Sequence, residues 1–303
     1  MKLHHLRSVR EIARCGLSVT RAARRLNATQ PGLTRHVQQL EAELGLSLFA
    51  RQRNRLVGLT PAGDALLPVI GRAVEAAEEV RRAARDLAGA EAGSLSIACS
   101  PTHARYLLPP VVARFIACHP TVRLHLRQGH AGQTTEWLRN GEVDLAISTA
   151  APGAAEGLVQ VPCATLRWVA LVPDGHALAR AGRATLGTIA RHPLITYDTS
   201  FASRRIIDRA FEAAGVEPTV VMAAGDSDVM KTYVLAGLGI ALVAHPAFDP
   251  ARDSGLVALP LGDAIPPVTL QLGLRRPGFL GRAARGFIAM LAPDALARLE
   301  GGE

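Results

Sequence analysis

Residues 18–41 read SVTRAARRLNATQPGLTRHVQQLE, with four arginines and no acid before the closing Glu41. Ser18 is placed to cap a helix whose Ala22, Ala23 and Leu26 face inward. Asn27, Ala28 and Thr29 form a tight break. Thr29 then caps a second helix with Pro31 in its first turn, where a missing N–H costs little. Leu33, Val37, Leu40 and Leu44 follow helical spacing, and Gly45 closes the helix. Helix, short turn, helix is the arrangement that lays its second helix in the major groove of DNA. The outward face of that second helix carries Gln30, Thr34, Arg35 and Gln38. Glutamine and arginine can bond two atoms of a base edge, and threonine can meet a thymine methyl.

The flanks agree. Leu3, Leu6, Val9, Ile12 and Ala13 make one apolar stripe over 3–15, and Gly16 is placed to end it. ARQRNRLVGLT, residues 50–60, spaces Arg51, Arg53 and Arg55 as in a short β-ribbon wing lying along phosphates. Residues 1–60 hold eleven Lys/Arg against three Asp/Glu, whereas the remainder is balanced, so the net charge of +8 sits on the first fifth of the chain. A single-sign block of this kind points to a polyanion partner for one domain. A three-helix bundle with a basic surface would share the charge but not the spacing and the wing. Double-stranded promoter DNA is the expected partner of residues 1–60.

Residues 61–88 read as one long helix with Thr60 as cap, Pro61 first, and Pro68 as an expected kink. Leu66, Ile70, Ala73, Ala77, Val80, Ala84 and Leu87 alternate steps of four and three, the seam of a coiled coil. The expectation is a linker and dimerisation helix over 61–92, its end marked by Gly89 to Gly93.

From residue 94 the pattern changes to strands alternating with helices, which implies parallel sheets. Two sub-domains are expected in 93–303: one over about 93–162 and 267–303, the other over about 163–266, with a cleft between them. Ligands of such sheets sit at strand ends beside helix N-termini. Three hydroxyl-rich loops occupy such ends: Ser100-Pro101-Thr102-His103, Ser148-Thr149 and Asp198-Thr199-Ser200. Each alone is an ordinary helix cap; together they outline a site for a small polar ligand.

Several functional classes find no support. No apolar run is long enough for a bilayer span, and MKLHHLRSVREIARCG has arginines where a signal peptide needs an apolar stretch, so a cytoplasmic location is expected. Cys15, Cys99, Cys118 and Cys163 form no CxxC pair and read as small buried hydrophobes. There is no HExxH, GxSxG or P-loop, and Gly237-Leu238-Gly239 lies between a helix and a strand, the reverse of a dinucleotide loop. His103 beside Ser100 and Cys99 has no acid nearby in sequence to orient it as a base. No enzyme, cofactor or metal is expected. A solute-binding protein fits residues 94–303 alone, but not the basic N-terminal unit.

AARRLNATQPGLTRHVQQLEAELGLSLFARQRNRLVGLTPAG, residues 22–63, resembles the N-terminal domain of LysR-type transcriptional regulators. The resemblance implies a winged helix-turn-helix, a long dimerisation helix and an α/β effector domain of periplasmic-binding-protein type with two sub-domains. GSLSIA, THARYLLPPV, LHLRQG, HPLITYD and SDVMKTYVLAGLGIALVA extend it to near position 280 and are similar to the CysB/Cbl subgroup, regulators of cysteine biosynthesis and sulfur assimilation. That likeness implies a small anionic effector (O-acetylserine, N-acetylserine, sulfate or thiosulfate) and assembly as a dimer of dimers. It carries over Ser100, Thr102, Gln128 and Thr149 as contacts, and it places Lys231 in a matching segment. The expected effector site is therefore Ser100, Thr102, His103, Gln128, Thr149, Thr199, Ser200 and Ala202. His103, Ala202 and His245 depart from the subgroup's Gln, Thr and acid, as does Cys99-Ser100-Pro101 from its Thr-Thr-His; these changes favour a different anion or weaker binding. The alternative is a regulator of another pathway with a different small anionic effector.

Overall fold

The computed structural model describes residues 1–53, 55–87, 93–149, 157–275 and 280–301. The chain divides into two compact units, Met1–Ala90 and Glu91–Glu303.

The first unit contains α1 (Leu3–Arg14), α2 (Val19–Arg25), α3 (Gln30–Leu44), β1 (Phe49–Gln52), β2 (Arg55–Leu59) and α4 (Pro61–Leu87). Its caps are those the sequence specifies. Ser18 accepts from the Arg21 N–H at 3.3 Å, and Thr29 accepts from the Gly32 N–H at 3.2 Å. Gly45 ends α3 in the left-handed conformation. Leu6, Val9, Ile12, Ala22, Leu33, Val37, Leu40 and Phe49 form one buried core. Glu41, buried, ties α3 to the wing: its carboxylate accepts from the Leu48 and Phe49 N–H groups and from Arg51. α4 starts hard against this point, because a Cβ on Gly63 would lie 2.0 Å from the Leu48 carbonyl oxygen.

The seam expected along α4 is corrected at its N-terminal end. Leu66, Leu67, Ile70 and Val74 pack on the unit's own core, and Arg7–Glu78 and Arg10–Glu75 ion pairs fasten α1 to α4. The apolar surface left exposed keeps Ala73, Val80 and Ala84 of that seam and adds Val69 and Ala76. The helix runs through Pro68. The expected linker at 88–92 lies outside the described residues.

The second unit holds two five-stranded sheets. The first has the order β4-β3-β5-β12-β6, from β3 (Ser94–Cys99), β4 (Arg123–Gln128), β5 (Leu145–Thr149), β6 (Leu158–Leu166) and the late β12 (Val268–Arg275). Between β3 and β5 lie a π-helical turn (His103–Leu107), α5 (Pro109–Cys118) and α6 (Ala131–Arg139). The second has the order β11-β7-β10-β8-β9. It is built from β7 (Trp168–Pro173), β8 (Leu194–Tyr197), β9 (Val220–Ala224), β10 (Ile240–Ala244) and β11 (Leu256–Pro260). Short α7 (Ala177–Ala181) and α8 (Leu186–Ile189), then α9 (Ala202–Ala213) and α10 (Ser227–Leu235), cover it; α11 (Arg282–Leu291) and α12 (Pro293–Gly301) return to the first sheet.

The sheets are mixed rather than parallel. β3, β4 and β5 are parallel, but β12 runs antiparallel to β5 and β6. Likewise β8, β9 and β10 are parallel and β7 is antiparallel to β10 and β11. The cause is the double crossing: the chain leaves the first sub-domain along β6, past the expected boundary at 162, and returns beside it along β12. Cys15 and Cys99 are buried as expected, Cys163 is partly buried, and Cys118 is exposed.

Candidate functional site

Gln30, Thr34, Arg35 and Gln38 are all exposed along one face of α3. The Thr20 hydroxyl of α2 donates to the Gln30 side-chain carbonyl at 3.2 Å, and the Thr34 hydroxyl donates to the Gln30 backbone carbonyl. These bonds order the helix start and leave the Gln30 amide donor free. The wing separates the three arginines. Arg51 pairs with Glu41, Arg53 sits at the turn with φ of +47°, and Arg55 is exposed on β2. Arg53 and Arg55 are thus better disposed toward phosphates than Arg51.

Against the inner side of α3 the rings of His4, His5 and His36 cluster edge-on and tilted to one another, with centroids 4.4 to 5.4 Å apart. His36 Nδ1 bonds the Ser8 hydroxyl at 2.9 Å. Burial lowers the pKa of His5 and His36, and the neighbouring imidazoles lower both further. Among the described residues no group of His, Cys, Asp or Glu is arranged to hold a metal ion.

In the second unit a narrow cleft lies between the sheets. It takes in Ser100, Thr102, His103, Thr149 and Ala202 of the expected set. Gln128 is exposed at the end of edge strand β4, and Gly129 lines the cleft in its place. Thr199 and Ser200 are also left outside, because Asp198 draws the Ser200 N–H into a turn at 2.9 Å. His245 is exposed and lines a separate groove with Arg167, Pro246 and Leu261. Trp168, Tyr197, Phe201 and Ser203 line the cleft without having been expected. Trp168 follows the first crossing and Tyr197 ends β8, so only the strand order brings them to the mouth of β3.

Among the described residues no charged side chain lines this cleft. Its polarity comes from hydroxyls and from the first turns of α6 and α9. Phe201, the N-cap of α9, supplies no side-chain acceptor, and the Arg204 N–H turns to its backbone carbonyl, so the N–H groups of Ala202 and Ser203 remain for a ligand. Burial pushes the Tyr197 phenol up to about 12, and Cys99 likewise to about 12, so neither ionises near neutrality.

One side of the cleft is tied across the sub-domains. The Thr102 and Ser227 hydroxyls are 3.4 Å apart. Arg105 pairs with Asp226 and Asp228, and Tyr106 bonds Asp228. Lys231 lies behind them, bonded to Tyr106 at 2.7 Å and to Asp253 at 2.9 Å. It serves this junction and does not line the cleft.

A winged helix-turn-helix combined with a two-sub-domain α/β unit that encloses a ligand cleft defines a DNA-binding regulator of the effector-controlled class. Residues 3–64 match the family described as bacterial regulatory helix-turn-helix protein, lysR family, and residues 88–295 match the LysR substrate binding domain. The chain belongs to the LysR family of transcriptional regulators. It is 43% identical to the HTH-type transcriptional regulator SsuR of Burkholderia cenocepacia, over 97% of this chain and 95% of that one. It is 38% identical to the HTH-type transcriptional regulator Cbl of Escherichia coli, over 95% of this chain and 90% of that one. The crystal structure of the cofactor-binding domain of the Cbl regulator superposes with a TM-score of 0.66 at 34% identity, covering 70% of this chain and 93% of that one.

Proposed function

We propose that this protein regulates genes of sulfur assimilation and cysteine biosynthesis, with a small anionic effector held in the cleft of residues 93–303. The reading is carried by the cleft: hydroxyls of Ser100, Thr102, Ser148, Thr149 and Ser203 surround it beside the uncapped start of α9, with no cation among its described lining residues. Such a site suits one compact anion bound by neutral donors. Its nearness to the 43% and 38% identical SsuR and Cbl supports the pathway. It works where the genome is, in the cytoplasm, and as a regulator rather than an enzyme.

The α3 stripe reads base edges, and Arg53 and Arg55 neutralise phosphates. Two surfaces suit a second copy of the chain. One is the α4 stripe from Val69 to Val80; the other comprises the edge strands and helices bearing Ile116, Leu126, Val220, Val221 and Tyr233, all exposed. Pairs of dimers on one promoter follow from using both. The effector shifts the assembly between two arrangements by its difference in affinity for them.

The test is a thermal-shift series on the full chain with O-acetylserine, N-acetylserine, sulfate and thiosulfate. A ligand at a hundred times its Kd stabilises by about 2.7 kcal/mol. Ser100→Ala combined with Thr149→Val removes that shift and leaves DNA binding intact. No ligand shifting the parent beyond the Ser100→Ala/Thr149→Val variant overturns the sulfur reading and leaves family membership standing.

A further inference from the structure

One polar group in the cleft wall is buried without a partner. His103 lines the cleft and is only 6% exposed. Its ring hydrogen-bonds the Ile147 backbone on β5, and Nδ1 is buried with no hydrogen-bond partner. Burial pushes its pKa down to about 4, so the ring is neutral at physiological pH. A neutral imidazole has a single N–H. A backbone carbonyl can only accept, so the bond to Ile147 commits that hydrogen. Whichever nitrogen donates, the other presents a bare lone pair. An unmet buried acceptor of this kind destabilises the empty cleft.

The neighbouring groups define what relieves that cost. Ser100 already receives the His103 backbone N–H on its hydroxyl at 3.2 Å, and Thr102 faces Ser227. The anionic end of a ligand is drawn to the start of α9 and to the free hydroxyls. An anionic oxygen set against His103 would oppose two lone pairs. A ligand N–H or O–H set there completes the site.

We infer that His103 is the residue that sets effector specificity, selecting an anion that also carries a hydrogen-bond donor, such as an amino-, acylamino- or hydroxy-bearing acid, over a hydrogen-free oxyanion. The inference rests on the cleft being the effector site, and the two are separable by experiment. Sulfate and thiosulfate have three or four acceptor atoms and no donor at neutral pH; O-acetylserine and N-acetylserine have an ammonium or an amide N–H and hydroxyl. Gln at position 103 would supply both a donor and an acceptor and would remove the discrimination.

The experiment is isothermal titration calorimetry of the full-length protein and of His103→Gln with these four ligands, at constant ionic strength. Calorimetry avoids the general stabilisation that sulfate exerts on any protein. In the parent, the preference for the better acetylserine over sulfate is about tenfold or more, and it shrinks by a similar factor in His103→Gln through a gain in sulfate affinity. His103→Asn is the second variant if the glutamine form does not fold. Sulfate binding the parent as tightly as either acetylserine overturns the inference and leaves the effector site in place. An unchanged ratio in both variants does the same. Silence from all four ligands overturns the inference and the sulfur reading together.

Discussion

His4, His5 and His36 place three imidazoles in contact inside the DNA-binding unit, with His5 only 6% exposed. The charges facing them are unfavourable to a further proton. Lys2 and the N-terminal ammonium are close, and Glu43, the acid that opposes them, already pairs with that ammonium. Folding lowers the pKa of His5 and His36 below 6.5, by burial first and by the neighbouring rings second. The unfolded chain therefore takes up protons more readily than the folded one, and stability present above pH 6.5 is lost as the pH falls through and below it. Calorimetric scans of the full chain should show the N-terminal transition moving down between pH 7 and pH 5.5; in a His4→Gln/His36→Gln variant the movement should be smaller. Equal movement in both would assign the acid sensitivity elsewhere. Gly63 makes a second residue-level case. Any side chain there meets the Leu48 carbonyl, so Gly63→Ala should cost about 1–3 kcal/mol in the same transition.

Among elements, the proposed labour on DNA is divided between α3 and the wing. Arg35 and Gln38 are exposed on the outward face of α3, whereas Arg53 stands at the wing turn. Arg35→Ala should lose about 1–3 kcal/mol of discrimination between a selected operator and a scrambled duplex. Arg53→Ala should weaken binding to both duplexes and lower the slope of log affinity against log salt by about one. Equal loss on both duplexes for Arg35→Ala would contradict base reading. In the effector unit, the π-helical turn and α10 are joined through Lys231, which is 5% exposed between Asp228 and Asp253. Lys231→Met takes the cation from Asp253, while Asp228 keeps Arg105, so denaturant melts of the variant should show a loss of about 3 kcal/mol.

At the scale of the molecule, α4 has two duties. Its first turns complete the core of the DNA-binding unit, and its exposed stripe centres on Val80, which is 69% exposed. Val80→Glu should shift the oligomer toward smaller species in sedimentation velocity while the melting of α1–α3 stays in place, since Val80 touches none of that core. Unchanged assembly would remove the stripe from the interface. Sub-domain closure is a property of the whole effector unit, because Thr102 belongs both to the cleft and to its contact with Ser227.

The sequence by itself determined the elements that depend on neighbours in the chain. The caps at Ser18, Thr29 and Thr60, the stripe of α3, and the strands from β3 to β5 follow from spacing and local hydrogen bonding, which the chain encodes within a few residues. β6 and β11 escaped the pattern because their burial alternates weakly and their pairing partners lie far along the chain. Of the α4 seam, Leu66 and Ile70 went to the unit's own core while Ala73, Val80 and Ala84 stayed on the exposed stripe, since periodicity shows an apolar face but not which of two claimants covers it. Only the tertiary structure decided the lining of the candidate effector cleft. It brought Trp168 and Tyr197 to the loop after β3, turned Gln128, Thr199 and Ser200 outward, and left a neutral His103 short of a partner. Those outcomes depend on strand order and on what burial does to a charge, and neither is a property of a residue and its neighbours in sequence.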